Sequence, residues 1–189
     1  MPPGAASAAG PRRIGLISDT HGLLRPEALD ALRGSHLILH AGDIGAAGVL
    51  EALGAIAPVT AVRGNNDNAP WARELPGVAR LTVAGVRIVV VHDVKEMDLA
   101  RADADVVVCG HSHQPRVESR EGLLLVNPGS AGPRRFTLPV TVARLEIAAG
   151  RAAAAIVPLA LATPPSRTPG RTRATHPGSA PRPSRPRRR

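Results

Sequence analysis

Short apolar runs alternate with polar, glycine-bearing loops through the first third of the chain. The run "RIGLIS" at 13–18 predicts a buried strand that gives way to the loop "DTHGLL". Pro26 opens a helix over "PEALDALR", and Gly34 stops it. "HLILHAG" predicts a second apolar strand running into Asp43, "AGVLEALGAI" a helix, and "PVTAVRGN" a third strand. Strands alternating with short helices are the signature of an α/β layered fold.

The second half changes character. "ARLTVAG" and "VRIVVVHD" predict two strands joined through Ala84-Gly85, a hairpin signal. "ADVVVCG" predicts another buried strand. "PRVESREGLLLVNPGS" predicts a second hairpin, and "TVARLEIAAGRAAAAIVPL" a third that turns at Gly150. A two-sheet core with flanking helices accounts for this order, and no internal repeat is visible. Residues 1–11 are small and Pro/Gly-rich and read as a loose leader, so the folded domain is expected over 12–160.

Composition adds a boundary at the other end. The 189 residues carry a net charge of +9, but from Leu161 to Arg189 there are eight Arg and no acid. Residues 1–160 hold sixteen basic against fifteen acidic residues, so the body is close to neutral. The tail 161–189 is Pro/Arg-rich with little apolar content, and is expected to be disordered. Its arginines suit nucleic acid or an acidic membrane surface at low salt, and an extension without a partner accounts for them slightly better. Trp71 and Phe136 are the only aromatic residues, which argues against a base-stacking platform. Cys109 is the single cysteine, so a reducing, cytoplasmic setting is expected. No stretch reads as a signal peptide or approaches the ~18 apolar residues of a membrane span.

The polar residues that follow the apolar runs carry the chemistry. "SDTHG" offers Asp19 and His21, "HAGD" offers Asp43, and "RGNND" offers Asn65. "VVVHD" adds His92, and "CGHSH" adds His111 and His113. Sheets collect ligands at the carboxyl ends of their strands, where loops converge on one crevice. Imidazole and carboxylate donors together suit first-row divalent metals. Two such ions ~3.5–4 Å apart need a shared ligand and can clamp both oxygens of a phosphoryl displacement.

Taken in order, "DTHG", "GD", "GNND", "VVVHD", "GHSH" and "NPGS" resemble the calcineurin-like metallophosphoesterase superfamily over roughly Arg13 to Leu159. They are most similar to its small prokaryotic branch, the YfcE-type phosphodiesterases. The resemblance implies a four-layer αββα sandwich with a dinuclear metal site. It assigns Asp19, His21 and His113 to one metal, Asn65, His92 and His111 to the other, and Asp43 to the bridge. It further implies two divalent ions, Mn by habit with Ni, Co, Fe or Zn as substitutes. A metal-bridging hydroxide would attack small or nucleotide-like phosphodiesters, with Asp43, Asn66 and His92 as the catalytic residues. A homo-oligomer stays open.

Two positions depart from the family pattern. Asn66 stands where many members have a histidine, and an amide cannot deliver a proton to a leaving group. Asp93 follows His92 where glycine is usual, and can turn outward or crowd the site. Singly, each ligand has an ordinary explanation: Asp19 and Asp43 as helix caps, Asn65-Asn66 as a turn, His92 as core. Cys109 is expected to be a buried, inert thiol, His36 a surface residue and His40 a packing residue. Asn127 reads either as a loop that shapes the phosphate side or as a plain Asn-Pro turn. Two other functions use the same fold: a non-catalytic binding module, as in the retromer subunit of this superfamily, and a nuclease aided by the basic tail. The retromer pattern is degraded where His92 is intact here.

Overall fold

The computed structural model describes residues 10–161. The expected leader and tail lie outside the described residues, apart from Gly10, Pro11 and Leu161. Ten strands and two short helices follow one another. The first half runs β1 (Arg12–Ile17), α1 (Pro26–Leu32), β2 (Leu37–His40), α2 (Ala47–Gly54) and β3 (Val59–Ala61). The second runs β4 (Val78–Val83), β5 (Val86–Val91), β6 (Val106–Val108), β7 (Arg116–Arg120), β8 (Leu123–Asn127), β9 (Thr141–Ala148) and β10 (Arg151–Pro158).

The strands form two mixed five-stranded sheets, ordered β10-β9-β1-β2-β3 and β4-β5-β6-β8-β7. β1, β2 and β3 are parallel to one another, as are β5, β6 and β8, while the remaining pairings are antiparallel. Parallel strands buried on both faces need near-continuous apolar runs, which explains "IGLI", "VRIVVV" and "VVV". Period-two alternation then divides each run between two cores. Ile14 and Leu16 of the first sheet pack against Ile88, Val90, Val106 and Val108 of the second.

The outer faces are covered unequally. α1 and α2 lay Ala28, Leu32, Val49 and Leu53 over Ile17, Ile38 and Val142 of the first sheet. Gly15 keeps α1 close: a Cβ there would stand 2.6 Å from Leu32 Cδ2. The second sheet turns Val89, Val91, Val107, Cys109 and Leu125 outward, against Val94, Met97 and Leu99. The 3-10 turns Val94–Glu96 and Leu99–Arg101 are all the helix that covers it among the described residues. The fourth layer is therefore thin.

The three expected hairpins are present. Ala84-Gly85, Glu121-Gly122 and Ala149-Gly150 all have positive φ at both turn residues, the backbone that matches strand twist in a two-residue loop. No helix among the described residues is long and apolar enough to cross a membrane.

Candidate metal centre

All seven predicted ligands lie at the carboxyl ends of strands that the two sheets hold side by side. Asp19 and His21 follow β1, Asp43 follows β2 and Asn65 follows β3, while His92 follows β5 and His111 and His113 follow β6. Asp19, Asp43, His92 and His113 are buried, and His111 is exposed.

The donor atoms sort into two groups. In the first, His21 Nε2 is 3.3 Å from His113 Nε2, and His113 Nε2 is 3.2 Å from Asp19 Oδ1. Asp43 Oδ2 completes it, 3.8 Å from His21 Nε2. In the second, Asn65 Oδ1 is 3.0 Å from both His92 Nε2 and His111 Nδ1. Asp43 Oδ1 lies 3.4 Å from His92 Nε2. Each group thus receives one oxygen of the same carboxylate.

The arrangement fits cations better than it fits hydrogen bonds. His92 Nδ1 donates to the carbonyl of Ala41 at 2.7 Å, which leaves Nε2 facing two oxygens. Three electron-rich atoms meet there, and a positive charge between them removes the repulsion. Burial acts against protonated His92, but the Asp43 carboxylate and the Ala41 carbonyl outweigh it and raise its pKa. Asp43 is likewise opposed by burial, yet hydrogen bonds from His92 and Asn66 hold its carboxyl well below the usual range. Asp19 Oδ1 is buried without a hydrogen-bond partner and points into the first group. His21 is shifted the other way, down, because burial outweighs the attraction of Asp43 and Asp19.

The backbone is strained at five of the predicted ligands. Asp19, His21, Asp43, His111 and His113 have φ of 53°, 46°, 54°, 65° and 58°. L-residues visit that left-handed region rarely, and such strain collects at functional sites. Supporting hydrogen bonds hold it. Asp67, buried, accepts from the backbone N–H groups of Ile44, Gly45 and Gly64 at 3.1, 2.9 and 2.8 Å, tying the β2 and β3 loops together. Ser18 Oγ and the His111 N–H both donate to Asp19 Oδ2, at 2.7 and 3.1 Å. Gly64 lies against Asp43 so closely that a Cβ would be 2.2 Å from Asp43 Oδ1.

The neighbouring polar residues take supporting places. Asn127 Nδ2 donates to Gly110 O at 2.7 Å and to Ser112 Oγ at 3.1 Å, so it braces the "GHSH" loop. His40 is fully buried: Gly42 N donates to Nδ1, and Nε2 meets Thr20 Oγ1 at 3.0 Å. Cys109 is buried, and burial pushes its thiol up to about 11, which suits an inert side chain. Asp93 reaches back, with Oδ2 3.6 Å from His111 Nε2, while Oδ1 accepts from Lys95 N at 3.0 Å. Sequence reasoning passed over two groups at the site. One is the anchoring role of Asp67, and the other is Arg135, whose Nη2 lies 3.4 Å from His21 Nε2. A concavity of about 830 Å³ lies on the far side of the second sheet beside Arg87, Leu99 and Arg120 and includes none of the seven.

Two mixed sheets stacked face to face, with imidazoles and carboxylates gathered at their strand ends, define a metallophosphoesterase sandwich. Residues 13–150 match the calcineurin-like phosphoesterase superfamily domain, and the chain belongs to that family. A protein described as a probable metallophosphoesterase, from Methanothermobacter thermautotrophicus, is 37% identical over 148 residues, spanning 70% of this chain and 86% of the relative. The E. coli phosphoesterase YfcE has a similar structure, with a TM-score of 0.56 at 25% identity over 70% of this chain and 87% of that one. Vacuolar protein sorting 29 from Cryptosporidium parvum shares the fold, with a TM-score of 0.65 at 20% identity over 79% of this chain and 98% of that one.

Proposed function

We propose that residues 12–160 form a two-metal phosphodiesterase that hydrolyses small or nucleotide-like phosphodiesters. One observation carries the reading: Asp43 sets Oδ1 3.4 Å from His92 Nε2 and Oδ2 3.8 Å from His21 Nε2, one oxygen toward each group. The two groups would each hold one divalent cation, Mn for preference, with Asp43 shared. Such a pair supplies Lewis acidity and lowers the pKa of a bound water.

The chain's own residues do the remaining work. Asn66 donates its backbone N–H to Asp43 Oδ1 at 2.9 Å and its amide Nδ2 to Oδ2 at 2.6 Å, fixing how the shared carboxylate presents both oxygens. His92 is oriented by its Nδ1 bond to Ala41, so that Nε2 is directed at the cluster. The Asn66 amide cannot protonate a leaving group, which favours diesters with good leaving groups over poor monoesters. An intact donor set supports catalysis over a binding-only role. The single, buried cysteine suits a reducing, cytoplasmic setting.

Hydrolysis of bis-p-nitrophenyl phosphate, with and without Mn²⁺, tests the reading beside Asp43→Ala. Metal-dependent turnover in the wild type and background turnover in the variant are expected. Full activity in Asp43→Ala would remove the shared-carboxylate site, and a folded wild type without metal-dependent turnover would favour the binding module.

A further inference from the structure

The loop between β8 and β9 is held against the candidate metal centre at several points. Ala131 N donates to Ser18 O at 3.1 Å, and Ser130 Oγ donates to Asp19 O at 2.9 Å. Gly132 lies so close to the β1 loop that a Cβ would stand 2.3 Å from Thr20 O and 2.6 Å from Asp19 O. Arg25 Nε donates to the Gly132 carbonyl at 3.3 Å from the other side. Beyond this clamp, Leu138 N donates to Arg135 O at 3.1 Å and closes a turn, inside which Phe136 takes a φ of 51°. Arg135 is therefore carried by a braced turn at the rim of the site.

Its guanidinium is placed there without a counter-ion. Nη2 lies 3.4 Å from His21 Nε2, and Arg135 forms no ion pair with a carboxylate among the described residues. No other Lys or Arg among them hydrogen-bonds or ion-pairs with any of the seven ligands. The exposed fork of five donors matches the oxygens of a phosphate, and charge-assisted contacts of that kind are roughly twice as strong as neutral ones. Asn66 is neutral and already spends Nδ2 on Asp43.

We propose that Arg135 is a substrate-binding residue that takes a non-bridging oxygen of the phosphoryl group. The inference rests on the two-metal phosphodiesterase reading and adds the cationic contact that Asn66 does not provide. When His21 Nε2 is engaged as a ligand, the adjacent guanidinium is left to an anion in the site.

Arg135→Ala and Arg135→Lys test this, with Arg134→Ala as the control for loss of an exposed charge on the same loop. The readouts are the Kd of inorganic phosphate for the Mn²⁺-loaded protein by titration calorimetry, the Kd of Mn²⁺ alone, and KM and kcat for bis-p-nitrophenyl phosphate. Arg135→Ala is expected to weaken phosphate binding and raise KM about tenfold or more, the effect of one lost charge-assisted contact. Lys should recover part of it, while Arg134→Ala and the Mn²⁺ affinities stay at the wild-type level. Phosphate affinity and KM in Arg135→Ala within twofold of wild type would overturn the assignment, even where the wild type turns over normally. A wild type that binds phosphate but does not turn over overturns the phosphodiesterase reading, and loss of phosphate in Arg135→Ala would still uphold the contact. A wild type that does neither overturns both.

Discussion

Asn66 grips both oxygens of Asp43, its backbone N–H on Oδ1 at 2.9 Å and its side-chain Nδ2 on Oδ2 at 2.6 Å. The residue that stands where many family members have a histidine thus positions the Asp43 carboxylate. Asn66→Ala keeps the backbone contact and loses the other. About 1 kcal/mol of stability should go with it. Mn²⁺-dependent turnover should fall about tenfold or more, as for other groups that orient a metal ligand. Asn66→Asp sets carboxylate against carboxylate and should lower turnover further. Denaturant melts beside steady-state kinetics check both.

Asp93 pairs with the far side of a ligand. His111 directs Nδ1 at Asn65 Oδ1 and leaves Nε2 3.6 Å from Asp93 Oδ2. A carboxylate behind a ligating imidazole fixes its ring and raises its basicity. If His111 holds a metal as proposed, Asp93→Asn should weaken binding of that ion about 10–100-fold in Mn²⁺ titrations. Calorimetric titration of the metal-free protein reads this directly, and an unchanged isotherm would separate Asp93 from His111.

Gly110 lies two residues past β6, where the chain enters the "GHSH" loop. A Cβ there would meet Ser18 Oγ at 2.0 Å, Asp19 Oδ2 at 2.8 Å and Ala41 O at 2.9 Å. Gly110→Ala should cost about 1–3 kcal/mol, the usual penalty of overpacking. It should also displace Asp19 and so reduce metal affinity. Urea midpoints and Mn²⁺ titration measure the two effects.

His40 predicts acid sensitivity. Burial lowers its pKa from 6.5 to about 4, against the opposing pull of Asp19 and Asp67. Between those values the unfolded chain binds a proton that the folded protein refuses, so stability falls as pH drops through that window and levels off below it. The loss from this group is about 3 kcal/mol at most. The metal-free protein should show the slope in urea melts between pH 6.5 and 4, and His40→Gln should flatten it.

Much of this molecule is legible along the chain. "RIGLIS", "HLILHAG" and "VRIVVVHD" run into Asp19, Asp43 and His92, and the structure ends β1, β2 and β5 within one to three residues of them. The paired turns at Ala84-Gly85 and Ala149-Gly150 are equally local, because two residues with positive φ suffice to reverse a strand. Other features leave no local trace. Nothing in the letters Asp, His, Asp, His, His marks five left-handed backbones, and that strain is sustained by hydrogen bonds from distant loops. The thin layer over the second sheet, by contrast, follows from the shortness of "VKEMDLARAD", which makes only two 3-10 turns.

The sequence alone determined the alternation of strand and loop and the types of donor at each strand end, since both depend on near neighbours and residue chemistry. Tertiary structure decided which atoms meet. His111 and His113 are two residues apart, yet one presents Nδ1 to Asn65 and the other Nε2 to Asp19 and His21. Arg135 reaches His21 across 114 positions. Such partnerships depend on how the two sheets stack and where their loops converge, and no local pattern encodes a distance between segments that only packing brings together.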